Sequence, residues 1–463
     1  KMVSEYVSLG DYAGAKRVFR VALLILAGIG LFTGALMFVG SGALAKLSTF
    51  TEASLSFKAL APALFFVSVM CAYRGYLQGM QMMTGTAVSQ VAEQVFKLII
   101  GLFLAIKLLP KGPEYAAMGA LIGVTISELA GLVVIIVYYY AKRDMFEGQI
   151  EKQTAFRDIQ RGTMANQLVA IALPITIGAS ISPLSGIVDS ALIGRILRGL
   201  DFTEEAAKTA FSLLRTNVTT LVNMPSVLTM ALAMSLVPAI SYAMAQRDYK
   251  SVRANVQLGL KLALIIGLPC AVGLFILSKP VLALLYPSLS PVNLEIASEL
   301  LKTASVGVLF LSLVQSMTGA IQGIGKPSIP VFNLFIGFIL KVAVMCALIR
   351  IPRINIHGAA VSTVVLYAYA GLADVVYALR VTKLRVRMLD VVLKPVVCTS
   401  AMGVAVYFCY ELLKTHGRLG TLLPILAGVA VYALLCVLLR VFSETELMQI
   451  PGGRRLRRIM YRK

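Results

Sequence analysis

Tryptophan is absent from this chain, histidine occurs twice, and charged residues make up only 14% of it. A soluble domain carries about a quarter charged residues, so a water-soluble globular fold is excluded. Strand-length alternation bounded by turns is also missing, which argues against an outer-membrane barrel. The six cysteines (Cys71, Cys270, Cys346, Cys398, Cys409 and Cys436) all fall inside apolar segments and form no CxxC, and His357 and His416 are far apart. Such spacing offers neither a zinc nor a redox site, so no metal and no cofactor are expected. Without tryptophan, the aromatic belt at a membrane interface must come from tyrosines such as Tyr138, Tyr139 and Tyr140.

What is present is apolar length. Of 463 residues 58% are hydrophobic, and the mean hydropathy is +0.84. Runs of about 20 apolar residues recur, as a bilayer core near 30 Å requires of a helix. Twelve spans are predicted, at 20–42, 58–80, 85–108, 116–140, 165–194, 209–243, 256–278, 296–321, 328–350, 357–380, 390–412 and 419–441. The expected fold class is therefore all-α integral membrane. The net charge of +21 sits in short loops between apolar runs, with no aromatic-interleaved platform, so no nucleic-acid partner is expected. Lys16, Arg17, Arg20, the 141–163 connector, Arg247, Lys250, Arg253, Arg380, Lys383, Arg385, Arg387 and the tail at Arg454–Arg458 outweigh the opposite loops, which hold Lys46, Lys107, Lys111, Arg195, Arg198, Lys279, Arg350 and Arg353. The positive-inside rule places the first set, and with it the C-terminus, in the cytoplasm.

The strongest internal signal is a repeat at a spacing of roughly 240 residues. Gly10-Asp11-Tyr12 matches Arg247-Asp248-Tyr249. Gly75-Tyr76-Leu77-Gln78-Gly79 with Lys97 matches Gly319-Ala320-Ile321-Gln322-Gly323 with Lys341. Gly119-Ala120 leading to Tyr138 matches Gly358-Ala359 leading to Tyr377. Two spans precede Asp248 but only ten residues precede Asp11, so about two upstream helices are expected beyond this sequence, for about fourteen in all. The chain divides into an N-terminal bundle (1–140), a cytoplasmic connector (141–163), a C-terminal bundle (164–381), two extra helices (382–441) and a basic cytoplasmic tail (442–463). An even number of spans per copy predicts two pseudo-symmetric bundles related by an axis along the membrane normal.

Ionisable and polar groups inside spans are costly and mark candidate sites. Asp189 and Arg215 lie on the spans that begin the second copy, among Ser180, Ser182, Ser185, Asn217, Thr219, Thr220 and Asn223. One reading makes them the wall of a hydrated cavity, with Arg215 on phosphate oxygens, which its planar fork suits. Asp189 then holds or releases Arg215, or binds a coupling cation. The other reading is an inter-helix ion pair. Glu93 and Lys97, at i,i+4, can neutralise each other. Lys341 has Gly337 in the matching acidic place, so its partner must come from another helix. Asp374 is a candidate on sequence grounds, and Glu128, mid-span without a local partner, is a candidate for coupling to H+ or Na+. Arg74, Gly75, Gln78, Gly79, Pro225 and Gln322 are expected to serve bundle packing or hinges, and Pro174, Pro183 and Pro238 also interrupt polar spans.

Arg74-Gly75-Tyr76-Leu77-Gln78-Gly79-Met80-Gln81 with Ala87-Val88-Ser89-Gln90 and Glu93-Gln94, and Leu221-Val222-Asn223-Met224-Pro225-Ser226-Val227-Leu228 with Ser235-Leu236-Val237-Pro238-Ala239-Ile240-Ser241, resemble the stage V sporulation protein B group of polysaccharide-biosynthesis membrane proteins. The similarity runs the length of the chain, to Ile450-Pro451-Gly452-Gly453. That group belongs to the multidrug/oligosaccharidyl-lipid/polysaccharide exporter superfamily and is related to the lipid II flippases. The resemblance implies two bundles rocking about a central cavity in the bacterial cytoplasmic membrane. It also implies a flippase moving a lipid-linked, pyrophosphate-bearing oligosaccharide, such as a peptidoglycan precursor, by alternating access, with membrane lipids and that glycan as partners. One departure is visible: Thr220 and Asn223 stand where lipid II flippases carry an arginine and a glutamate. The alternative on the same fold is a cation-coupled drug antiporter. A membrane-embedded glycan polymerase or ligase is not expected, because the outer loops are short and 278–296 offers little beyond Glu295.

Overall fold

The structure is a computed structural model and describes residues 1–47, 54–151, 153, 160–198, 209–351, 354, 356–414, 419–444 and 446. The tail at 454–458, the 450–453 close, His416 and Arg353 lie outside the described residues, as do the side chains of Ser182, Lys46, Arg195 and Arg198. Every regular element described is a helix: α1 (Met2–Ser8), α2 (Tyr12–Val39), α3 (Ser41–Leu47), α4 (Ser54–Gly79), α5 (Met83–Leu108), α6 (Pro113–Ala141), α7 (Arg143–Glu151), α8 (Arg161–Arg198), α9 (Thr219–Asn223), α10 (Ser226–Ala245), α11 (Tyr249–Ile276), α12 (Ser278–Leu285), α13 (Pro291–Ile324), α14 (Ser328–Ile349), α15 (His357–Thr382), α16 (Lys394–Leu413) and α17 (Leu419–Leu438). Among the described residues, eleven helical stretches are long and apolar enough to cross a bilayer. The twelfth expected span, α5, has 26 residues and carries Glu93, Gln94 and Lys97 mid-helix.

Chain contacts divide the molecule into two compact units, residues 1–172 with 241–247, and residues 173–240 with 248–463. In the first unit α5 packs along α6, α4 against α2 and α6, and α1 against α2. Gly123 makes the α5–α6 approach possible, because a Cβ there would run into the backbone of Gly101. One end of this unit is closed by a ring cluster of Phe19, Tyr73, Tyr76, Tyr139 and Phe146. Phe146 is 3% exposed and ties the connector helix α7 to the bundle. The opposite face of α5 shows Leu98, Ile99, Leu102 and Phe103, an apolar stripe that in water would be a liability and in a bilayer meets lipid.

In the second unit α13 is the central helix, packed on α11 and α15, while α14 lies along α15 and α16 pairs with α17. Leu300, Leu301, Ala297, Met345 and Ile349 form its dry core. The Tyr432 hydroxyl donates to the Ile265 carbonyl at 2.9 Å and fastens α17 to α11.

The repeat is visible in backbone devices. Gly10 and Arg247 both adopt positive φ, at 77° and 56°. Each precedes an aspartate that caps a long helix: Asp11 accepts from the Gly14 amide, and Asp248 from those of Lys250 and Ser251. Gln81 and Gly325, at the matching ends of α4 and α13, are both left-handed as well.

One expected element is corrected. The span predicted over 209–243 is not continuous: a π-helical turn at Leu213–Val218 runs into α9, and the chain turns at Met224 and Pro225 before α10 begins. Pro225 lacks an amide hydrogen for the ladder and its ring crowds the preceding turn. Pro174, Pro183 and Pro238, by contrast, sit inside helices that continue past them.

Candidate functional site

In the second unit, Asp189, Arg215 and Asn223 line one cavity together with Phe211, Leu214, Thr219, Gly307, Thr363 and Tyr367. The cavity is bounded by α8, the π turn, α9, α13 and α15. Arg215 projects from the π turn, a wide-turn geometry that recurs at functional sites. Thr219 closes that turn by donating its hydroxyl to the Leu214 carbonyl, five residues back, at 2.8 Å. Gly186 on α8 leaves the seat for the guanidinium, since a Cβ there would stand 2.8 Å from Arg215 Nη2.

Asp189 pairs with Lys341 rather than with Arg215. The Lys341 Nζ lies 2.7 Å from Asp189 Oδ2 and donates to Ser185 Oγ, also at 2.7 Å. Lys341 is 3% exposed, so its charge depends on that partner. The helix supplying it is α8, outside the lysine's own helix. Asp189 Oδ1 is buried without a hydrogen-bond partner among the described residues. Arg215 has no ion pair or hydrogen bond among the described residues. Among the described residues, the cavity wall thus holds a neutralised Asp189–Lys341 pair and a guanidinium without a partner.

Two of the expected cavity residues are placed elsewhere. Asn217 is 8% exposed and Thr220 donates its hydroxyl to the Thr216 carbonyl at 2.5 Å; neither lines the cavity. Helical periodicity is the reason: the lining positions 211, 214, 215, 218, 219, 222 and 223 follow an i, i+3, i+4, i+7, i+8, i+11, i+12 stripe, and 217 and 220 fall on the other side of it. Tyr367, Thr363 and Gly307 line the cavity and were not singled out from sequence. Tyr367 matches Glu128 in the repeat register set by Gly119 and Gly358, and that alignment was the one available signal.

The first unit carries a second polar centre, across α4, α5 and α6. Arg74 donates to Ser89 Oγ at 3.0 Å and pairs with Glu93 at 3.1 Å. Glu93 also takes Lys97 at 3.3 Å, and Lys97 reaches Glu128 at 3.8 Å. Glu128 therefore has a partner on the neighbouring helix, and a coupling cation there would have to displace an ammonium. Arg74 acts as a strut within this network. The packing role expected of the glycines falls on Gly79, against Val3, and on Gly319 and Gly323, against Ala233 and Ile240, whereas Gly75 faces open space.

The fold is that of solved MATE transporters. A MATE transporter in the straight conformation aligns with a TM-score of 0.69 over 82% of this chain and 82% of its own, at 15% identity. An outward-facing MATE family transporter of the MOP superfamily aligns with a TM-score of 0.68. These likenesses define the class by fold alone. The particular family follows from sequence: the profile described as lipid II flippase MurJ matches residues 14–428, and the chain belongs to that family. Stage V sporulation protein B of Bacillus subtilis (strain 168) is 26% identical over 459 residues, covering 97% of this chain and 86% of that protein. Lipid II flippase MurJ of the same organism is 25% identical over 380 residues, covering 79% and 69%. The chain is a multi-span membrane protein of a bacterial flippase family.

Proposed function

We propose that this protein moves a polyprenyl-pyrophosphate-linked glycan, of the lipid II kind, across the bacterial cytoplasmic membrane. The observation that carries the reading is Arg215, a guanidinium lining the cavity with no acid of its own among the described residues, beside a pair that is already neutral. Such a site favours an anion, and bidentate contact to phosphate oxygens is what arginine geometry provides. Asn223 and Thr219, lining the same wall, offer amide and hydroxyl groups to a sugar. The bundles 1–140 and 164–381 are the halves that rock, the helices of 382–441 shelter the lipid tail, and the C-terminus faces the cytoplasm. The family and the stage V sporulation protein B relative support a lipid-linked glycan over a drug, because the MATE likeness extends to fold only.

The test is to supply the full-length protein as the sole flippase in a depleted bacterial cell. Outer-leaflet lipid II is then counted with a membrane-impermeant probe. Exposure that collapses with Arg215→Ala supports both cargo and site. Exposure that survives Arg215→Ala keeps the cargo and removes Arg215 from its path. No exposure from well-expressed, folded protein overturns lipid II as cargo.

A further inference from the structure

Asp374 on α15 is fully buried, with 0% of its surface exposed. Among the described residues its carboxyl meets only neutral donors: Asn333 Nδ2 on α14 at 2.7 Å from Oδ1, and the Thr318 hydroxyl on α13 at 3.4 Å from Oδ2. Three cations on the surrounding helices are engaged elsewhere. Lys341 on α14 holds Asp189, Arg253 on α11 donates to the Thr382 carbonyl, and Lys261 on α11 holds Glu446. Lys250 on α11, Glu295, Glu299 and Lys302 on α13, Lys326 in the α13–α14 turn, and Arg380 and His357 on α15 form no ion pair with Asp374. A carboxylate in the membrane interior with no cation beside it is strongly unfavourable.

The other copy of the repeat handles the same junction differently. By the register that aligns Gly75 with Gly319, Thr318 matches Arg74 and Asn333 matches Ser89. In the first copy those positions hold an arginine strut, bonded to Ser89 and paired with Glu93. By the register that aligns Gly119 with Gly358, the position of Asp374 is taken by Ile135, itself fully buried. The second copy has thus lost the cation at the junction and acquired an acid there.

We propose that Asp374, seated between Asn333 and Thr318, is a proton-binding site within the second unit, made of residues that do not line the Asp189–Arg215 cavity. In the loaded form Oδ1 accepts from the Asn333 amide, and the Oδ2 hydroxyl turns to the Thr318 oxygen as donor. Releasing the proton leaves a bare carboxylate in a dry seat. Release is therefore linked to any rearrangement of α13, α14 and α15 that lets water reach it. The assignment of that linkage to a transport cycle rests on the flippase reading; the site itself does not.

The experiment is infrared difference spectroscopy of the purified full-length protein in lipid nanodiscs, stepped between acid and alkaline buffer. The C=O stretch of a protonated, dry carboxyl group is followed. Wild type is expected to show a band that disappears in Asp374→Asn and moves in Asp374→Glu, while the exposed-site control Glu295→Gln leaves it unchanged. If Asp374→Asn does not fold, Asp374→Glu decides alone, because an unmoved band overturns the proposal. A carboxyl spectrum unaltered in Asp374→Asn overturns it as well. So does a band removed by sodium at constant pH, which would make the seat a metal-cation site. The readout needs no transport, so it fails separately from the flippase reading.

Discussion

Lys341 and Asp189 are 152 residues apart in the chain, and their charged atoms stand 2.7 Å apart between α14 and α8. The lysine is almost wholly enclosed, so the pair behaves as a unit: either charge alone is worse than none. Asp189→Asn is expected to cost about 3–5 kcal/mol by stranding the ammonium, and the double change Asp189→Asn with Lys341→Met to recover most of that loss. Thermal unfolding in nanodiscs, read as a double-mutant cycle, measures it. Additive single effects would mean that the pair is not coupled.

Arg215 is expected to separate stability from transport. Having no partner among the described residues, it can be removed within about 0.5 kcal/mol of wild-type stability. Loss of charge-assisted bonds to phosphate should lower lipid exposure by roughly 10- to 100-fold in Arg215→Ala. Arg215→Lys, which keeps the charge but not the fork, should fall between the two. Equal activity of all three proteins would remove the guanidinium from the cargo path.

The segment after α17 is fastened by an acid that does two jobs. Glu446 Oε2 accepts from the Ser443 amide at 2.8 Å, Ser443 Oγ accepts from the Glu446 amide at 3.3 Å, and the same Oε2 takes Lys261 Nζ at 2.7 Å. This is a capping box joined to a lysine that is 2% exposed. Glu446→Ala should release the segment to limited proteolysis and destabilise the fold by about 3–5 kcal/mol. Adding Lys261→Met should restore the stability but not the docking. A protease pattern identical to wild type in Glu446→Ala would contradict this.

Gly123 should tolerate no side chain larger than hydrogen without moving α5 from α6, because the nearest atoms belong to the Gly101 backbone and cannot rotate away. Gly123→Val is expected to cost about 1–3 kcal/mol. It should also loosen the Glu93–Lys97–Glu128 cluster that spans the same two helices, which cysteine cross-linking across them would register. Gly75→Ala, facing open space, is the matched control and should change neither.

Asp248 outside the membrane gives a pH-dependent helix start. Its carboxyl is held below the ordinary aspartate range, first by the Ser251 hydroxyl, then by the Ser251 and Lys250 amides. A depressed native value means that the cap's contribution is present above the ordinary aspartate range and is lost as pH falls through the depressed value. Hydrogen-exchange protection of the Lys250 and Ser251 amides should follow that course in wild type and be flat with pH in Asp248→Asn. A flat wild-type profile would show that the cap is not titrating.

Several features were legible in the residues alone because their cause is local or periodic. A run of about 20 apolar side chains must become a helix in a bilayer, where the backbone can satisfy itself in few other ways. The Glu93–Lys97 contact follows from four-residue spacing. The repeat at Asp11 and Asp248 follows from the caps that both long helices need. Partner choice was not legible. That Asp189 takes Lys341 rather than Arg215 depends on where α8 and α14 cross, and the composition of either helix says nothing of that crossing. Asn217 and Thr220 stand off the stripe at 211, 214, 215, 218, 219, 222 and 223 that lines the cavity, and which stripe of a polar helix faces a cavity is set by the helices packed on it. Of four prolines in the polar spans, Pro225 is the one at which the chain turns, because a proline breaks a helix only where neighbouring contacts do not hold it together. Sequence determined which segments cross the membrane and that they come in two copies; tertiary packing decided which buried charges cancel and which lack a partner among the described residues, because at that depth a charge's energy is set by neighbours more than a hundred residues away.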